Sequence, residues 1–368
     1  TGNGSINNPW RTIQKAASVM KAGDTCYIRG GIYRETVTPA NSGTSANKIR
    51  FEAYQGEDVI VSGCDLITNW TQHSGSIYKA AMNWDMAGGN VVFVDNILAS
   101  EAKWPNNTDN GILDVNSWAT VDSATTGTVN TITDSALSTF SDGYWDGATV
   151  VCISGVAYTA YSSTISSFTS STLTFTPFAG GTSWYQPESN DLYYITNSLK
   201  ALDTPLEWYK DSSTGTLYLW APGGDSPNNH MVEAKKREYA FDLTNKSYIE
   251  IIGVNMRAAS VKTTGAEYCK IIGIRMQGAQ QNIEGSYNEI RNSEISNSYT
   301  SGIHITGDHN YVINNYIHDV DFIASNKHAG IILNGSGHLI NHNTVCRGAS
   351  GMLMGTFDSS VIQYNNIY

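Results

Sequence analysis

Ile252-Gly253-Val254-Asn255-Met256, Ile272-Gly273-Ile274-Arg275-Met276, Arg291-Asn292-Ser293-Glu294-Ile295, Asn314-Asn315-Tyr316-Ile317, His342-Asn343-Thr344-Val345 and Tyr364-Asn365-Asn366-Ile367 are six copies of one short phrase. The corresponding residues Val254, Ile274, Ser293, Asn315, Asn343 and Asn365 are spaced by 20, 19, 22, 28 and 22 residues. A period of about 21 residues, carried by short alternating apolar runs, marks a solenoid in which each turn adds one rung of strand. Asn at one inward position of successive rungs forms a ladder, each side-chain amide bonding to the rungs above and below. The stretch from Asn245 to Tyr368 therefore predicts a parallel β-helix.

Composition agrees with a turn-rich, all-β chain. Only 15% of the 368 residues are charged, while Gly contributes 34 and Tyr 21, and sustained helical periodicity is scarce. A net charge of −11 without clustered Lys and Arg argues against a nucleic-acid partner, because phosphate neutralisation needs such clusters. A polyanionic sugar stays compatible, since a groove can be locally basic on an acidic protein. Cys26, Cys64, Cys152, Cys269 and Cys346 are scattered and form no CxxC pair, so they predict neither a disulfide framework nor a zinc site. No apolar run is long enough to cross a membrane. The polar opening at Thr1, with no signal peptide, fits a mature secreted protein whose leader has been removed.

Working outward from the repeats, Thr12 to Met20 carries apolar residues at 13, 16, 17 and 20, one helical face, closed by Ala22-Gly23-Asp24. Strand-like runs follow at Thr25–Arg29, Ile32–Val37, Ile49–Ala53 and Val59–Gly63. The first rung of a solenoid exposes an apolar end, so a short amphipathic helix in front of it predicts a cap. The segment Asn8-Pro9-Trp10-Arg11-Thr12-Ile13-Gln14-Lys15-Ala16-Ala17, with Ala22-Gly23-Asp24-Thr25 and Gly31-Ile32-Tyr33-Arg34-Glu35, resembles the amino-terminal cap and first coil of secreted right-handed parallel β-helix proteins that act on polysaccharides. Lyases and glycoside hydrolases share that pattern.

From Asp65 to Arg237 the rhythm disappears, and Thr/Ser-rich alternating strands and turn signals take its place. An insertion of this kind predicts a β-sandwich-like domain interrupting the solenoid. Its Ala102-Lys103-Trp104-Pro105-Asn106 and Leu206-Glu207-Trp208-Tyr209-Lys210-Asp211…Thr216-Leu217-Tyr218 stretches resemble glycoside hydrolases whose β-helix is interrupted by a β-sandwich, such as family 120 β-xylosidase relatives. The expected organisation is residues 1–64 as cap and first coils, 65–237 as the insertion, and 238–368 as further coils. Tyr368 falls inside a strand, so a further polypeptide segment or subunit is expected to complete the helix after it. In the resembling family a nucleophilic Asp follows the strand matching Gly351-Met352-Leu353-Met354, and the acid/base Glu lies on the next rung. Here Gly355 holds the first of those places, with Asp358 three residues further, and the second would fall beyond Tyr368.

Six of the eight histidines lie between His304 and His342, and the irregular 28-residue step carries its extra length in His318–His328. Core strands of a solenoid must repeat, so extra residues go to loops, where sites are built on rigid scaffolds. His304, Asp319, Asp321, Lys327 and His328 are the catalytic candidates. Alternation with Ile303 and Ile305 turns His304 outward, whereas His309, His338 and His342 read as turn residues. Glycoside hydrolysis needs two carboxyl groups, of which Asp319 and Asp321 would supply one, with His304 or His328 contacting sugar hydroxyls. A polysaccharide lyase would instead take Lys327 or His328 as base, with Asp319 and Asp321 holding Ca²⁺. Lys103 and Trp104 offer sugar-binding surface, and Asp358 is a further substrate contact. The expected function is a secreted polysaccharide-degrading enzyme, first a glycoside hydrolase on a polysaccharide or oligosaccharide substrate; the alternatives are a lyase acting on a uronic-acid polymer and a non-catalytic carbohydrate-binding β-helix.

Overall fold

The computed structural model describes residues 2–106, 115–154, 160–178, 185–321, 328–348 and 350–368, apart from the Val115 and Phe357 side chains. Among these the chain is nearly all β, with a single α-helix at Ile13–Ala17. Residues 2–65, 235–321 and 328–368 form one compact unit, and residues 66–234 belong to a second.

The first unit is a parallel β-helix with three faces. Sheet A stacks Thr25–Ile28, Ile49–Ala53, Ile249–Ile252, Lys270–Ile272, Glu289–Arg291, Tyr311–Ile313, Leu339–Asn341 and Val361–Gln363. Sheet B stacks Gly31–Tyr33, Val59–Ser62, Val254–Arg257, Arg275–Gln277, Glu294–Ser298, Tyr316–Val320, Thr344–Gly348 and Asn366–Ile367. Sheet C begins with Tyr239–Asp242 beside Ser260–Lys262 and continues through Gln281–Ile283, Ile303–Ile305, Ile331–Ser336 and Met352–Asp358. Val37 bridges Phe241, so residues 66–234 leave and re-enter the chain within a single coil.

Register is kept in phase, and this builds the core. Cys26, Phe51, Ile251, Ile271, Ile290, Val312, Ile340 and Ile362 pair in succession along sheet A. Val61, Met256, Met276, Ile295, Ile317, Val345 and Ile367 do the same along sheet B. Burying each aliphatic side chain contributes about 1.5–3 kcal/mol, so the inward rows are the main source of cohesion. At the first rung Thr12 caps the helix, its hydroxyl accepting from the Lys15 N–H at 3.2 Å, and Ile13, Ala16 and Ala17 face the core.

The corner between sheets A and B explains the repeated phrase. Gly253, Gly273, Asn292, Asn314, His342 and Tyr364 all adopt positive φ, between 53° and 66°, a conformation easiest for Gly and next for Asn. The next residue turns inward. Asn315 and Asn343 are buried there. Each accepts the backbone N–H of the preceding coil, Ser293 to Asn315 at 3.1 Å, Asn315 to Asn343 at 3.0 Å and Asn343 to Asn365 at 2.9 Å. Their amides donate to Ile290, Val312 and Ile340 carbonyls. Where the ladder begins, Ser293 accepts from Ile274 N–H at 3.3 Å.

A second column, not recognised in the sequence, occupies the corner between sheets C and A. Asn288, Asn310, His338 and Ser360 accept the N–H groups of Cys269, Asn288, Asn310 and His338 in turn. Beside it Tyr248, Tyr268, Tyr287 and His309 stack face to face at 4.8–4.9 Å.

In the second unit, one sheet contains Lys103–Trp104, Leu192–Thr196, Thr149–Ile153, Ala160–Thr169, Thr172–Phe175, Asn130–Thr133 and Ser123–Thr125. Its neighbours in that order are antiparallel. Trp145, Phe168, Phe175, Phe178 and Tyr193 fill its core. A second sheet includes Val92–Val94, Ile97–Glu101, Glu207–Asp211, Thr216–Trp220 and Ile77–Ala81. It packs Ile77, Tyr209, Tyr218 and Trp220 on the first core and turns Trp208, Leu217 and Leu219 into a core of its own. This is sandwich-like packing.

Candidate functional site

The long coil leaves sheet B at Val320 and enters sheet C at Ile331. The sequence candidates gathered there are distributed by the fold to three different places. Lys327 lies outside the described residues.

Asp319 belongs to sheet B. Positive φ at this residue (52°) swings its carboxylate to the outer side, where Arg347 clasps it with two hydrogen bonds of 2.7 Å. His318 Nδ1 lies 2.5 Å from the same carboxylate, and His318 Nε2 lies 3.3 Å from Glu294. The Tyr316 ring stacks on His318 at 4.2 Å. Burial pushes the Asp319 carboxyl up, but the hydrogen bonds and charges of Arg347 and His318 outweigh it and hold the group well below the usual carboxylate range. A carboxylate so held has no proton to give at neutral pH and both oxygens are occupied. Asp319 thus acts as the anchor of an ion-pair network, not as a general acid.

Asp321 occupies the turn itself. It too has positive φ (61°), and its N–H is shared between the carbonyls of Ser298 and Thr300 at 3.0 and 2.8 Å. Its side chain is fully buried, with Oδ1 3.4 Å from Nδ1 of the part-exposed His328.

His304 stands on the outer face of sheet C, flanked by fully buried Ile303 and Ile305. Register puts Asn282, His304 and Ile332 in one outward row, and places Glu284 and Asn334 two residues further along their own strands. Asn334 Nδ2 lies 3.1 Å from His304 Nε2, which makes Nε2 the acceptor and puts the proton on Nδ1. Burial depresses the His304 pKa, Glu284 opposes the shift and His328 adds to it, so the ring is neutral at pH 7. Glu284 is exposed and accepts from the Thr264 hydroxyl. Gln280 bridges the row to the turn, accepting from the Thr300 hydroxyl at 2.6 Å and the Ser301 N–H at 3.0 Å.

Glu284 and Asn334 were missed in the sequence because the repeat was aligned only on its A–B corner. Aligning Gln281-Asn282-Ile283-Glu284, Ile303-His304-Ile305-Thr306 and Ile331-Ile332-Leu333-Asn334 on their inward residues places both level with Thr306, on the same face as His304 and two residues along from it. At Gly355 a Cβ would come 2.0 Å from Asn334 Oδ1, so a side chain there would displace the amide that holds His304. Asp358 is exposed at the end of the last sheet C strand, its carbonyl accepting from Gly337 N–H at 2.9 Å.

The insertion residues are used for packing. The Trp104 ring meets Phe140, Trp145 and Tyr193 at 5.6–6.2 Å, and the ammonium of buried Lys103 lies 5.3 Å from the Tyr194 ring centre. Both are committed to the core of that unit, which leaves little of either for a sugar. Among the described residues no three His, Cys, Asp or Glu side chains converge as a cation would require; Asp319 and Asp321, proposed in sequence as Ca²⁺ ligands, are turned to different partners.

No protein-family model matches the chain. A stretch of 60 residues is 40% identical to the uncharacterized protein YwoF of Bacillus subtilis, and one of 65 residues is 40% identical to pectate lyase PEL9 of Emericella nidulans. These matches take in 16% and 17% of the chain and only 13% and 16% of the two relatives. Two solved structures superimpose over the whole chain. One, the complex of XylC with xylose, has a TM-score of 0.63 at 17% identity, the chain covering 60% of it; a glycoside hydrolase has 0.64 at 13% identity, with 94% covered. The likeness shows the fold.

Proposed function

We propose that the outer face of sheet C binds and cleaves a saccharide, and that the protein is a secreted carbohydrate-active enzyme of the glycoside hydrolase kind. The observation that carries this reading is the outward pair Asn282 and His304 on strands in register, with Glu284 and Asn334 two residues further along the same face. It sets amide and neutral imidazole side by side at the inter-strand spacing of about 4.8 Å, with a carboxylate diagonal to the imidazole, a suitable array for sugar hydroxyls. The full-length likeness to a glycoside hydrolase and to a xylose-bound XylC supports it. Glu284 is the carboxyl that faces the sugar; the second acid–base group is His328, with Asp321 as its positioning residue.

A second reading, β-elimination on a uronic-acid polymer, has its own support in the local identity to a pectate lyase. Incubation with a panel of neutral and acidic polysaccharides separates the two. New reducing ends without ultraviolet absorbance indicate hydrolysis, and absorbing unsaturated products indicate elimination. Glu284→Gln is expected to lower hydrolysis by about 100-fold or more while leaving the far-ultraviolet circular dichroism unchanged. Unchanged rates in both Glu284→Gln and His304→Ala would remove sheet C from consideration.

A further inference from the structure

The helix in front of the first rung has five residues, Ile13–Ala17. Beside it lies a cleft of about 420 Å³, within the size range of small-molecule sites. Its floor is apolar, formed by Ile13, Ala16, Met20, Cys26 and Ile28. The walls are aromatic: Trp10, Tyr27, Tyr33 and Tyr54. One wall depends on Gly4, whose φ is +84° and whose Cβ would come 2.9 Å from the Trp10 ring. The segment from Asn3 to Asn8 is pinned over that ring by the Asn3 and Gly4 N–H bonds to Asn8 O at 3.0 and 3.1 Å.

Several polar groups around the cleft are already engaged. The Thr12 hydroxyl accepts from Lys15 N–H and Asp24 Oδ2 from Lys21 N–H. Tyr33 donates to the Arg29 carbonyl at 2.9 Å. The Arg29 guanidinium is paired with Glu57 at 2.9 Å and lies 5.1 Å from the Tyr54 ring centre. The charged lining residues are Asp24 and Arg29, and Arg29 already has Glu57 as its counter-charge, so the aromatic rings dominate the wall. Cys26 reports the same dryness, its thiol pushed up to about 11 by burial and by Glu35. Yet the rim is accessible, with Tyr27 60% and Val19 44% exposed.

We infer that this cleft is a binding site for a small neutral aromatic molecule, separate from the sheet C face and independent of the reaction proposed there. Ring faces and edges of the tyrosines and Trp10 supply π contacts, and Met20 and Cys26 supply soft sulfur contacts.

The test uses the whole chain and N-phenyl-1-naphthylamine, a neutral aromatic probe that brightens on leaving water. Saturable enhancement at one site per chain, reversed by phenol, is expected. Val19→Asp and Tyr27→Ala, both at exposed positions that leave the fold intact, should each weaken the probe by about tenfold or more, since a charge or a lost ring spoils an apolar wall. Val361→Asp, seven strands away from Thr25–Ile28 along sheet A, should change nothing. The inference is overturned if Val361→Asp abolishes the signal while the other two variants keep it, or if xylose or glucose displaces the probe and phenol does not.

Discussion

At the corner between sheets A and B the six coils from Gly253 onward offer the same pair, a left-handed residue followed by an inward one, and Asn315, Asn343 and Asn365 satisfy one another along the axis. At the corner between sheets B and C no two coils agree. There the chain supplies Asn297, Asp319 and Arg347 at the left-handed position, and their side chains bond sideways or outward, as Arg347 does to Asp319. Identity along the axis lets polar groups be buried, because each finds its copy one rung away. Difference along the axis sends them to the surface, where they are free to meet something other than the protein. A repeat thus separates scaffold from site by whether its polar residues recur.

The sharpest way to break this comparison is to interrupt the column of asparagines. Asn343→Ala orphans the Asn315 N–H and amide and the Val312 carbonyl, all buried. At about 1–3 kcal/mol for each unsatisfied buried group, partly relaxed, a loss of about 3 kcal/mol or more is expected in denaturant unfolding. Asn343→Ser should lose less, since Ser293 holds the equivalent place two coils earlier and accepts an N–H there.

Removing the cation from the irregular corner should matter less. Arg347 is largely exposed, so Arg347→Ala is expected to cost about 1 kcal/mol at pH 7. The sign with pH is fixed by Asp319, whose folded pKa is depressed. Its contribution is present above the ordinary value of 3.8 and is lost as pH falls through the folded value, so the parent and Arg347→Ala should converge in acid. Unfolding midpoints measured from pH 7 downward check this; a gap that widens below pH 4 would refute it.

The smallest effect is expected at His338, which sits in a column otherwise read as Asn, Asn and Ser. His338 accepts from the Asn310 N–H through Nδ1 and contacts the Asn334 carbonyl through Nε2. Burial lowers its pKa, so its neutral form contributes stability above the ordinary value of 6.5, part of which is lost as pH falls below that value. His338→Asn should leave stability within about 1 kcal/mol at pH 7 and flatten the slope of stability between pH 7 and 5. A steeper slope in the variant would place the acid sensitivity elsewhere.

Much of the fold was legible because the physics that builds it is local and periodic. Alternating Ile and Val fixed the inward rows, and the Gly-Val, Gly-Ile, Asn-Ser and Asn-Asn pairs fixed the corner, since few residues accept positive φ. The amphipathic pattern from Ile13 to Met20 marked a cap, although the helix closes at Ala17. Within the site, the outward orientation of His304 followed from the same alternation. What could not be read was which chemistry-bearing residues share a face. Asp319 and Asp321 are two apart in sequence, yet one is clasped by Arg347 from the next coil and the other is buried against His328.

The sequence by itself determined the solenoid, its ladder and the coil that departs from it, because a period of hydrophobicity needs no partner to be visible. Only the tertiary structure decided that Glu284, His304 and Asn334 share one face, since their adjacency runs across coils 20 to 30 residues apart and exists only once the register is set. The same holds for the cleft at the first rung, where Trp10, Tyr27, Tyr33 and Tyr54 meet from separate segments of the chain.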